Sequence, residues 1–99
     1  MNMLKRPKDT AALCREAQEM LQILYKMQKS GDPFLILQAE KLLFCYERPV
    51  KAAIRDLKPA KNRFYWILSS EADKKRVYAS CNYLFDVIAL GLGPEIQHP

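Results

Sequence analysis

The 99-residue chain is 49% hydrophobic and 27% charged, with a formal net charge of +5. That balance is globular and excludes a largely disordered chain, and it supplies enough apolar material for one core. No apolar run reaches the ~18 uncharged residues of a membrane span, because Lys26, Lys29, Glu40, Lys41 and Glu47 interrupt the longest of them. Met1 to Lys8 carries Lys5, Arg6 and Lys8 without a signal-peptide apolar core, and it is expected to be a flexible basic lead-in. The expected location is therefore cytoplasmic, or nuclear in a eukaryote, with no membrane partner.

The first predicted helix runs from about Thr10 to Ser30, with Asp9 or Thr10 as N-cap and Gly31 as the stop. Leu13, Ala17, Met20, Leu24 and Met27 recur at spacings of four and three, and Cys14, Leu21 and Tyr25 widen the stripe. Asp32-Pro33 then starts a second helix, since the carboxylate accepts orphan backbone N–H groups and proline suits the first helical position. That helix is expected to stop near Glu47, before Pro49. Phe34 to Tyr46 is interrupted only by Gln38, Glu40 and Lys41, so it must be buried nearly all round, at the centre of the domain or against another chain, a homodimer included.

Pro49 is expected to open a short third helix, Val50 to Leu57, with Val50, Ala53, Ile54 and Leu57 inward and Pro59 as its end. Residues 61–69 have strand-like composition in Phe64-Tyr65-Trp66-Ile67-Leu68 but no partner strand, and are read as helical. Ser70 with Asp73 marks the start of a last helix, Glu71 to Leu90, that Gly91 stops. Val77, Cys81, Leu84 and Ile88 form its seam, Tyr78, Phe85 and Ala89 broaden it, and Lys74, Lys75 and Arg76 are placed at a solvated start. Residues 91–99 read as a loose tail. The expected fold is all-α: a compact bundle or array of four to five helices in a single domain spanning 1–99.

Chemistry is hard to find. The three glycines, Gly31, Gly91 and Gly93, leave no phosphate-binding loop, and the one histidine, His98, lies in the tail. Cys14, Cys45 and Cys81 lack metal-ligand spacing and read as buried small hydrophobes. The carboxylate pairs Glu16/Glu19 and Glu71/Asp73 are explained by helix dipoles and solvation. No enzyme, metal or cofactor is expected.

Charge placement is the informative feature. Residues 48–63 contain Arg48, Lys51, Arg55, Lys58, Lys61 and Arg63 against Asp56 alone, while the rest of the chain has equal numbers of each sign. The whole net charge comes from this one segment. Lys51, Arg55 and Lys58, at spacings of four and three, share a helix face opposite Val50, Ile54 and Leu57. Such a ridge suits docking on an acidic macromolecule, which points to a non-enzymatic adaptor, inhibitor or regulatory subunit of, for instance, a nucleic-acid enzyme or its complex. The alternative is direct phosphate contact with nucleic acid, with Tyr65 or Trp66 stacking on bases. Ala39 to Leu57 resembles a helix-turn-helix only weakly, with Glu47-Arg48-Pro49 as a turn lacking glycine.

Overall fold

The computed structural model describes residues 5–92, with side chains placed through residue 89. Within them the chain is all-α. Four α-helices, α1 (Thr10–Gln28), α2 (Pro33–Asp56), α3 (Arg63–Leu68) and α4 (Glu71–Asp86), are joined by a 3-10 turn at Lys58–Lys61, and a π-helical end covers Val87–Leu92.

Local chemistry sets the boundaries. The Asp32 carboxylate accepts from the Phe34 N–H at 2.9 Å, with Pro33 in the first turn of α2. Asn62 caps α3 through the Phe64 N–H at 2.8 Å, and Ser70 caps α4 through the Asp73 N–H at 3.1 Å. Helix α1 starts differently: Asp9 adopts φ 59°, and its side chain makes no cap bond. Gly31, at φ 83°, turns the chain from α1 into α2, in a conformation that only glycine adopts without strain.

The largest departure from the sequence reading is α2. It runs unbroken for 24 residues with Pro49 inside it, so there is no separate Val50–Leu57 helix and no helix-turn-helix at Ala39–Leu57. An interior proline removes one backbone bond and crowds the preceding turn, at a cost of about 3 kcal/mol. Packing outweighs that cost. Leu42 and Leu43 before the proline, and Val50, Ala53 and Leu57 after it, are all buried in the same core. Each large aliphatic contributes about 1.5–3 kcal/mol on burial, and a break at Pro49 would turn one of the two sets away.

Helices α1 and α2 form an antiparallel hairpin, with Tyr25 beside Glu47 and Gln18 and Leu21 beside Ile54. Helix α4 lies against the C-terminal half of α2. The Ser80 hydroxyl bonds the Asp56 carboxylate at 3.2 Å, and Tyr83 lies by Pro49 and Ala52. Leu24, Val50, Leu57, Val77 and Leu84 are the fully buried large side chains of the shared core. The molecule is elongated, 54 × 19 × 19 Å.

Other expectations also change. The helix does not stop at Gly91, since the π-helical end continues to Leu92; the remainder of the expected tail, with His98, lies outside the described residues. Residues 5–8 are not free either. Tyr78 donates its hydroxyl to the Lys5 carbonyl, and the Thr10 hydroxyl donates to the Pro7 carbonyl at 3.1 Å. Residues 1–4 lie outside the described residues. Among the described residues no helix is long and apolar enough to cross a membrane.

Candidate functional site

Unbroken α2 presents an outward face that the assumed stop at Pro49 had hidden. Phe34, Lys41, Arg48 and Arg55 follow one another at intervals of seven residues, and Leu37 and Phe44 run beside them at the same interval. Seven residues are nearly two turns, so each row drifts only ~20° per step and stays on one side of the helix. All six are exposed, with Phe34 at 70%, Leu37 at 60% and Phe44 at 92%. Neither central burial nor neighbouring helices cover this face, so the expectation of a Phe34–Tyr46 segment enclosed by its own domain does not hold. The buried residues of the segment are Ala39, Leu42 and Leu43, with Tyr46 half-buried against the same core.

The six basic residues of 48–63 are all exposed, and they sit in different local surroundings. Arg48 and Arg55 belong to the outward face of α2. Lys51 turns toward α1, where its Nζ lies 3.5 Å from Glu47 Oε2 and 5.7 Å from the Tyr25 ring centre. The Tyr25 hydroxyl, which donates to the same carboxylate, holds the Glu47 carboxyl below the usual range, with Lys51 and Arg48 adding to the effect. The Lys51 ammonium is pushed up, first by Tyr25 and then by Glu47. Lys51 is therefore engaged within the protein. Lys58 lines an open cleft of 520 Å³ with Tyr65 and Leu68, Lys61 faces the N-terminal segment, and Arg63 opens α3.

Helix α3 is a second apolar surface. Phe64, Tyr65, Ile67 and Leu68 are all exposed, and Trp66 alone turns inward, edge-on to Tyr78 at 6.0 Å. Of the two aromatics considered for base stacking, Trp66 is thus unavailable and Tyr65 is accessible. Lys74 is not at a solvated helix start. It is 6% exposed, with its ammonium 5.5 Å from the centre of the Trp66 ring.

The cysteines divide. Cys14 is buried and Cys81 half-buried, and burial pushes both thiols up; Cys45, contrary to the sequence reading, is exposed beside Phe44. Among the described residues no group of His, Cys, Asp or Glu is arranged to hold a metal ion.

Comparison with protein-family models, with curated proteins and with solved structures finds no match. The functional reading therefore rests on the surface itself. Sequence reasoning found Arg48 and Arg55 by charge but missed Phe34, Leu37, Lys41 and Phe44 as their companions. The signal was the seven-residue spacing, legible only if α2 passes through Pro49.

Proposed function

We propose that this chain is a small non-enzymatic interaction protein, an adaptor, inhibitor or regulatory subunit, that docks on an acidic partner protein through the outward face of α2. One observation carries the reading: large apolar side chains stay in water on the same face as Lys41, Arg48 and Arg55. Exposed apolar area of this kind on a small domain marks a place where another surface belongs. Interleaved cations specify its charge.

The spacing favours a helix as the occupant. Positions repeating at seven residues stay in contact with a second helix that coils around the first. The partner helix would place apolar side chains against Phe34, Leu37 and Phe44, and carboxylates against Lys41, Arg48 and Arg55. A second copy of the chain fits poorly. Parallel self-pairing sets Lys41, Arg48 and Arg55 each against itself, and antiparallel pairing sets Lys41 against Arg48. Like charges so opposed raise the energy of the complex.

Nucleic acid is also the weaker reading, because phosphate contacts would use the arginines and leave Phe34, Leu37 and Phe44 in water. Salt dependence and stoichiometry of the complex purified from the source cells separate the cases. A protein partner gives a fixed ratio and a shallow dependence, unaffected by nuclease. A duplex gives a log affinity falling with log salt at about −0.9 per neutralised phosphate.

A further inference from the structure

At the opposite end of α2 from Phe34, residues 6–9 and the first turns of α1 line an open cleft of 720 Å³ with Ala60 and Lys61 of the 3-10 turn. Among the described residues Arg6, Lys8, Arg15 and Lys61 line it, against one carboxylate, Asp9. None of the four cations makes an ion pair within the described residues. Two stretches far apart in sequence, residues 6–18 and 60–61, therefore bring three net positive charges to one cleft. Its wall is tied down at two points, by Tyr78 to the Lys5 carbonyl and by Thr10 to the Pro7 carbonyl.

We infer that this cleft is a binding site for a compact small-molecule anion carrying two or more phosphate groups. Unpaired cations held together repel one another, and a multivalent anion removes that repulsion while using Arg for forked contacts and Lys as a point charge. The volume lies in the range of about 300–1,000 Å³ typical of small-ligand pockets. Among the described residues no aromatic side chain lines the cleft, and none offers a stacking surface to a base. The recognised chemistry is thus the phosphates. The site is separate from the outward face of α2, and the two readings stand or fall independently.

Titration calorimetry of the full chain with inorganic tripolyphosphate, at ionic strength held constant with sodium chloride, tests the assignment. Saturable binding of one equivalent is expected. The Arg15→Gln/Lys61→Gln pair should weaken it by at least about tenfold, since it removes two charge-assisted contacts to the anion. Arg48→Glu/Arg55→Glu should leave it within about twofold, as surface charges remote from a site couple weakly to it. Circular dichroism establishes that the variants fold, and Arg15→Lys, which keeps the charge but loses the forked contact, should bind between wild type and Arg15→Gln. No saturable heat, or equal weakening by the two double variants, overturns the site. So does a duplex oligonucleotide that displaces tripolyphosphate and binds more tightly, since the cleft would then be part of an extended nucleic-acid track.

Discussion

The Lys74 ammonium sits 5.5 Å from the centre of the Trp66 ring and is almost fully covered, which seals α3 against the first turns of α4. A cation over an indole face is attractive, and its long stem also fills apolar space. The inward ring is the anchor of α3, because every other large side chain of that helix is exposed. Trp66→Ala should cost about 3–5 kcal/mol in urea unfolding. Lys74→Met, which keeps the stem and loses the charge, should stay within about 1.5 kcal/mol of wild type. A Trp66→Ala protein of unchanged stability would mean that α3 is not fastened this way.

Pro49 is tolerated within α2, not required there. Pro49→Ala restores the backbone donor and relieves the crowding of the preceding turn, so it should raise stability by about 1–3 kcal/mol with the helical circular dichroism signal retained. A destabilised variant would show that a proline-specific bend positions the two halves of the helix.

This residue also explains where sequence reading succeeded and failed. The core was legible: Leu24 and Leu84 are buried as their 3–4 spacing required, and Asp32, Ser70 and Gly31 mark boundaries by local bonding that acts over a few residues. Pro49 was misread because its cost is local, while the compensating burial of Val50 and Leu57 against α1 and α4 is tertiary. The outward face was lost with it. Composition made Phe34 to Tyr46 look like a helix to be enclosed, yet only neighbouring elements decide which sides are covered, and α4 packs along the later half of α2. The cleft near α1 was invisible for the same reason, since Arg6, Arg15 and Lys61 meet only in the folded chain.

Glu47 couples α1 to α2 in a pH-dependent way. Its carboxyl is held below the ordinary glutamate value of about 4.3 by Tyr25 first and by Lys51 and Arg48 after it. A depressed folded value means that the contribution is present above the ordinary value and is lost as pH falls through the folded one. Glu47→Gln should therefore lower the urea midpoint at neutral pH, and the gap to wild type should close as pH falls below about 4. A gap independent of pH would assign the effect to shape alone.

The thiols should react in a defined order. Cys45 is exposed, whereas burial raises the thiols of Cys14 and Cys81 and lowers their thiolate fraction. A maleimide added to the native protein at neutral pH should modify Cys45 first, with the other two following only on unfolding. Mass spectrometry of the peptides reads this directly, and early labelling of Cys14 would contradict the packing of α1.

The proposed docking of the outward face of α2 on an acidic protein is tested by replacing Phe44 with a photoreactive benzoylphenylalanine and irradiating the source cells, with and without Arg48→Glu/Arg55→Glu. Surface reversals of this kind change stability by under ~0.5 kcal/mol each, so folding should survive while steering and affinity are lost. The predicted result is a nuclease-resistant adduct of one defined mass, containing a protein with an acidic helical segment, that falls at least about tenfold with the reversals. A nuclease-sensitive adduct, a dimer of the chain itself, or no change on reversing Arg48 and Arg55 would contradict it.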